Sequence, residues 1–154
     1  MQFCFCPLTQ ENARIIADSW KYEGEYAFYD MTADPEDYAE FVDPVLRNES
    51  DCLEAKSGNE LAGYFSVSRD GDALEIGLGL KPSHCGKGLG REFVNQILQY
   101  LEKHYAFRRI TLIVAEFNLR AQKVYRSCGF VITEKFVQQT NGGEYPFLRM
   151  ERQR

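Results

Sequence analysis

The chain of 154 residues contains only two histidines, His84 and His104, and they lie far apart. A metal centre built on imidazole has little to draw on. Its cysteines (Cys4, Cys6, Cys52, Cys85 and Cys128) are odd in number and include no C-x-x-C pair. Neither a zinc site nor a closed disulfide framework is expected, and the thiols read as reduced in a cytoplasmic protein. Cys4 and Cys6 share one face of a short strand, with Phe3 and Phe5 on the other, so strand periodicity explains their spacing. No apolar run approaches the ~20 residues of a membrane helix. Residues 1–5 lack the basic and apolar regions of a secretion signal. Positive charge is also short: 18 Lys and Arg face 23 Asp and Glu, a net charge of −5. Nucleic acid is therefore not expected as a partner, because binding phosphate backbones needs a basic footprint.

What is present suits one globular domain over residues 1–154. The composition is 44% hydrophobic and 27% charged, and a chain of this length buries about 70% of its unfolded surface. Gln2 to Cys6 alternates as a strand. Thr9 can cap a helix with apolar positions Ala13, Ile16, Ala17 and Trp20. Residues 21–33 are rich in Tyr and Phe but show no period. Asp34-Pro35-Glu36-Asp37 signals a helix start, with Tyr38, Phe41, Val42 and Val45 on one face and Pro44 ending or kinking it. Strands follow at Cys52–Lys56, Leu61–Arg69 and Ala73–Leu80, joined by turns at Ser57-Gly58-Asn59-Glu60 and Asp70-Gly71. A long helix carries the stripe Leu89, Phe93, Val94, Ile97, Leu98, Leu101 and Tyr105. Ile110–Ala115 reads as a strand buried on both faces. A short helix from Asn118 to Cys128 stops at Gly129, and a hairpin around Asn141-Gly142-Gly143 ends the chain. The order β-α-α-β-β-β-α-β-α-β-β predicts an α/β fold with a mixed sheet in three layers, α/β/α.

The most informative segment is Cys85-Gly86-Lys87-Gly88-Leu89-Gly90-Arg91, between a strand and a helix. Alternating glycines permit positive φ and let backbone N–H groups converge on an anion, and the helix adds its positive end. Lys81, Lys87 and Arg91 make it locally basic in an acidic protein. A P-loop string is absent, and Arg91 stands where the dinucleotide fingerprint needs its last glycine. A plain glycine-rich turn is the alternative. The preceding strand places Glu75, Gly77 and Gly79 on one face, which points either to close approach by a ligand or to a packing device. A phosphate-bearing ligand with an extended amide arm suits the combination.

These residues resemble the GNAT superfamily of acetyl-CoA-dependent N-acetyltransferases. The family loop, Arg/Gln-x-x-Gly-x-Gly/Ala, matches residues 85–90, with Cys85 in place of Arg or Gln. The family's second pattern matches Asn118, Ala121, Tyr125 and Gly129-Phe130. The resemblance implies that the backbone of Leu78, Gly79 and Leu80 pairs with the pantetheine amides of acetyl-CoA. It implies that Cys85, Gly86, Lys87, Gly88, Leu89, Gly90 and Arg91 hold the pyrophosphate, that Asn118 bonds the pantetheine arm, and that Tyr125 sits near the sulfur, where its phenol stabilises the departing thiolate by hydrogen bonding with late proton transfer. Asn118 is equally a good N-cap and Tyr125 equally a core aromatic. Glu75 is the first candidate base for the acceptor amine, Glu116 the second, and a water chain the third. No metal is implied. The acceptor is a small-molecule or protein amine, the assembly a monomer or homodimer, and residues 22–31 part of the acceptor wall. A non-catalytic CoA-binding or sensor module and a nucleotide-binding protein are the alternative readings of the same loop.

Overall fold

The computed structural model describes residues 1–48 and 50–154. The elements are β1 (Cys4–Pro7), α1 (Gln10–Ser19), two 3-10 helices (Gly24–Tyr29 and Met31–Ala33), α2 (Pro35–Val42), α3 (Pro44–Arg47), β2 (Asp51–Ser57), β3 (Glu60–Asp70), β4 (Ala73–Leu80), a 3-10 turn (Pro82–His84), α4 (Gly90–His104), β5 (Arg109–Ala115), α5 (Leu119–Ser127), β6 (Val131–Thr140) and β7 (Gly143–Gln153). They form one mixed sheet in the order β1-β2-β3-β4-β5-β7-β6. β4 and β5 are its parallel pair; the other neighbours are antiparallel. The mixed, layered architecture expected from the element order is the one observed. No helix among the described residues is long and apolar enough to cross a membrane.

Local chemistry sets the boundaries. The Thr9 side chain accepts from the Asn12 N–H and starts α1, and the Asn118 side chain accepts from the Ala121 N–H and starts α5. Asn141 (φ 51°) and Gly142 (φ 75°) make the left-handed pair that a two-residue hairpin turn needs between β6 and β7. The stripe of α4 is buried through Phe93, Val94, Ile97, Leu98 and Leu101, against Phe65 of β3 and Ile110 and Leu112 of β5. α1 and α2 cover the other face, where Tyr64 of β3 packs against Trp20 and Phe41.

Val45 departs from the expected apolar face and is 77% exposed. The helix breaks at Asp43, whose carboxylate accepts from the Val45 N–H and starts the separate turn α3. That break rotates Val45 out of the stripe. Ahead of α2, the Asp34 carboxylate accepts from the N–H groups of Glu36 (2.9 Å) and Asp37 (3.2 Å). It also accepts from the Thr140 hydroxyl (2.8 Å) and the Asn141 N–H (3.1 Å), tying α2 to the β6–β7 turn.

These bonds, led by the one from Thr140, hold the Asp34 carboxyl below its ordinary value. A carboxylate so lowered adds stability above the unfolded value near 3.9 and loses it as pH falls through the lower folded value. Asp34→Ala is expected to destabilise by about 1 kcal/mol at pH 7. That is roughly 2–4 °C in melting temperature for a chain of this size. Melting curves taken from pH 7 to pH 2 should show the gap to wild type closing at the acid end. A gap independent of pH would show that the carboxylate charge is not the cause.

Candidate active site

The site originates in a split of the sheet. β4 and β5 pair only from Ala73 opposite Arg109 to Glu75 opposite Thr111. Beyond Glu75 they part, while β4 stays paired with β3 to Leu80 and β5 stays paired with β7 to Ala115. A wedge opens between them into a cavity of about 770 Å³ lined by Ile76–Leu80, Leu112–Val114, the glycine loop and the residue 22–31 segment. The Lys81 N–H bonds the Ala62 carbonyl. Antiparallel alternation then turns the N–H and C=O groups of Ile76, Leu78 and Leu80 away from β3 and into the wedge.

Splitting a sheet orphans backbone groups, and buried orphans are costly. Two tyrosines from the aperiodic segment satisfy two of them. The Tyr22 hydroxyl donates to the Leu80 carbonyl (2.8 Å). The Tyr29 hydroxyl accepts from the Ala115 N–H (3.3 Å) and from the Asn118 side-chain amide (3.1 Å). Burial raises both phenols above their ordinary values, so both stay neutral. The Ile76 N–H closes the parallel ladder at Thr111, and the Ile76 carbonyl and both backbone groups of Leu78 are left facing the wedge, where an extended chain can pair with them.

β3 and β4 keep a continuous register, with no bulge at the two glycines. A Cβ on Gly79 would lie 2.6 Å from the Tyr64 ring, and one on Gly77 would lie 3.1 Å from the Ser66 hydroxyl. The glycine pair therefore makes room for cross-strand neighbours on the face toward α1 and α2. The packing alternative accounts for it.

In the loop, Gly86 and Gly88 have φ of +73° and +78°. Left-handed glycines on either side of Lys87, whose φ is not positive, give the alternating backbone pattern of a concave anion nest at the start of α4. Cys85, Gly86, Gly88 and Gly90 line the cavity. Leu89 is the residue before the first turn of α4, and Lys87 and Arg91 are exposed outside the lining. The Cys85 thiol is directed at the carbonyls of Lys81 (3.7 Å) and Leu80 (3.9 Å), and burial raises its pKa.

Asn118 and Tyr125 both line the cavity. The Asn118 oxygen caps α5 and its amide donates to Tyr29, which leaves one amide hydrogen uncommitted among the described residues. Tyr125 packs at 6.0 Å from Phe130. Burial raises its phenol above the ordinary value, and Tyr29 and Tyr64 add to the effect. Glu75 sits at the last paired position, half-buried at the closed end of the wedge, and is not part of the lining. Glu116 is held by Lys135 at 2.7 Å.

Several lining residues were not singled out from the sequence. Arg120 on α5 places its guanidinium 4.0 Å from the Tyr26 ring. α2 contributes Asp37, Glu40 and Phe41 at helical spacing, and Asp30 joins them. The i, i+3, i+4 pattern of α2 was legible, but its neighbours were not.

A split parallel pair, a strand edge facing the gap, and a glycine loop at the adjoining helix make a cleft suited to an extended ligand with an anionic end. The chain belongs to the acetyltransferase (GNAT) family, whose model matches residues 13–130. Among solved structures it is similar to an aminoglycoside acetyltransferase, AAC(6')-Ib, in complex with coenzyme A. That likeness has 19% identity and a TM-score of 0.78, and covers 99% of this chain and 95% of that one. It is also similar to a chimera of the spermidine N-acetyltransferase SpeG from Vibrio cholerae and hSSAT, at 22% identity and a TM-score of 0.75, covering 99% and 96%. At such identities the likeness is one of fold. No curated protein matches the sequence.

Proposed function

We propose that this acetyltransferase moves the acetyl group of acetyl-CoA to a primary amine by direct attack, on an acceptor that carries further positive charge. The free edge at Ile76 and Leu78, leading into the Gly86–Gly88 nest, carries the cosubstrate half of the reading. The edge suits the pantetheine amides and the nest suits the pyrophosphate. Acetyl-CoA supplies the activated thioester, and the chain supplies position and proton handling. Asn118 would offer its uncommitted amide hydrogen to the pantetheine arm.

The attacking amine must be neutral. Deprotonating a lysine-like amine at pH 7 costs about 4.6 kcal/mol, and an α-amine about 1. Glu75 lies on the face shared with Gly77 and Ser66, both of which line the cavity. We assign it to accept the amine proton through water, since it stands outside the lining itself. Tyr125 would donate to the departing sulfur. Even an ordinary phenol is about 2 kcal/mol short of giving its proton fully to a thiolate. Burial of Tyr125 widens that gap, so the hydroxyl acts mainly by hydrogen bonding as charge develops.

The acceptor wall supports the charged substrate. Asp30, Asp37 and Glu40 line it, and none forms an ion pair among the described residues. Partial desolvation and the neighbouring Asp34, Glu40 and Glu36 raise the Asp37 carboxyl, as expected for unmatched negative charge. Arg47 on the same wall has its guanidinium bonded to the Phe41 carbonyl and to Gln10. The similar structures named for aminoglycosides and spermidine also concern molecules with several amines. The free thiols of all the cysteines support a reducing, cytoplasmic setting.

Calorimetric titration with acetyl-CoA and then ATP tests the cosubstrate; binding of ATP in preference would overturn it. An amine panel tests the acceptor. A triamine is expected to give a higher kcat/KM than a monoamine of similar length. Exposed carboxylates contribute up to about 1 kcal/mol each. Asp37→Asn with Glu40→Gln should therefore raise KM for the triamine about 10-fold and leave the monoamine unchanged. Equal kcat/KM for both amines in the wild type would sink the charged-acceptor half alone.

A further inference from the structure

Within the acetyl-CoA reading, we propose that Arg120 is the diphosphate-binding cation of this site, replacing from α5 the basic residue that the loop lacks at Cys85. The Cys85 side chain is neutral, and its thiol is directed back at the Lys81 and Leu80 carbonyls. Lys87 and Arg91, the loop's own basic residues, are exposed and do not line the cavity. Arg120 does line it. Its Nη1 lies 3.5 Å from the position a Cβ on Gly86 would take, and apart from residues 85–87 no other described residue comes within 4 Å of that position. The guanidinium thus stands over the left-handed turn whose N–H groups form the nest.

Three features mark this as a binding arrangement. The guanidinium makes no hydrogen bond or ion pair among the described residues, so its N–H donors are free for an anion. Arg120 is the second residue of α5, near the positive end of that helix, where a cation is unfavourable unless an anion joins it. The Tyr26 ring, 4.0 Å away, holds the guanidinium plane and limits its rotamers. A planar fork held in this way matches two phosphate oxygens, as a lysine cannot. The positive ends of α4 and α5 and the Arg120 charge then converge on one anion.

The experiment compares acetyl-CoA, dephospho-CoA (which lacks the 3′-phosphate) and S-acetylpantetheine (which lacks every phosphate). Calorimetry reads the affinity of the two nucleotides, and kcat/KM reads the phosphate-free donor. Arg120→Ala is expected to weaken acetyl-CoA and dephospho-CoA alike, about 10- to 100-fold, the range for a lost charge-assisted bond. It should flatten the salt dependence of binding and leave S-acetylpantetheine within about 2-fold by this reasoning. Arg120→Lys should fall between. Adding Cys85→Arg to Arg120→Ala should restore acetyl-CoA affinity to within a few-fold of wild type, since a charge returns to the lining of the same loop. Arg120 is exposed, so the variants should keep the wild-type circular dichroism.

Unchanged nucleotide affinity in Arg120→Ala overturns the assignment. So does equal loss for all three compounds, which would mean a structural role, or loss for acetyl-CoA alone, which would place the residue on the 3′-phosphate. A double variant as weak as Arg120→Ala overturns the replacement of position 85. Wild-type protein that binds no acetyl-CoA would instead overturn the cosubstrate reading on which the proposal rests.

Discussion

Gly88→Glu is expected to reduce acetyl-CoA affinity at least 100-fold while the fold persists. Gly88 holds φ at +78°, a region that costs a non-glycine residue roughly 1–2 kcal/mol. The added carboxylate would also sit within the nest. At ~5 Å and an effective dielectric near 20, one unit charge repels another by about 3 kcal/mol. That repulsion alone exceeds the 2.7 kcal/mol that a 100-fold loss requires, while the backbone cost falls on the free and bound loop alike. Apart from residues 87–89, no described residue lies within 4 Å of the Cβ position, so the core is untouched. Gly88→Ala separates the two causes, because it carries the backbone cost without the charge. Titration of all three proteins with acetyl-CoA is the check. Wild-type affinity in the glutamate variant would remove the phosphates from this loop.

Tyr125→Phe should lower kcat about 100-fold, the lower end of what a positioned proton donor contributes. Acetyl-CoA affinity should stay within about 3-fold, because the ring and its packing on Phe130 survive. The hydroxyl makes no hydrogen bond among the described residues, and the side chain borders the cavity. Its loss therefore orphans no partner and should leave melting nearly unchanged. Steady-state rates with a saturating amine decide it. Turnover equal to wild type would make Tyr125 a wall of the site and return the donor role to another group. Tyr29 is the nearest alternative: its hydroxyl accepts two hydrogen bonds, and its own proton has no acceptor among the described residues.

Much of the molecule is legible where the chemistry is local. Thr9, Asp34 and Asn118 announce helix starts because a short acceptor before a helix satisfies a free N–H. Each does so in the structure. Asn141-Gly142 announces a hairpin because both residues tolerate positive φ. Phe93, Val94, Ile97, Leu98 and Leu101 announce a buried face because helical spacing places them on one side. The loop was visible for the same reason, since adjacent residues set its glycine conformations. The aromatic segment was not legible. Tyr22 and Tyr29 lie in 3-10 turns without a period, and their work is done on strand ends far along the chain.

The sequence by itself determined most of the elements and the glycine loop, because these depend on residues within a few positions of one another, and their order gave the mixed layered class; Asn118 and Tyr125 entered as candidates through the family pattern. Only the tertiary structure decided where β4 and β5 part, since pairing register depends on which strands neighbour each other and not on the apolar run Ile110–Ala115. The same applies to Arg120. Nothing around it in sequence distinguishes it from the exposed Lys87 or Arg91. Folding α5 against the loop brings its charge to Gly86, and through-space distance sets electrostatic effect.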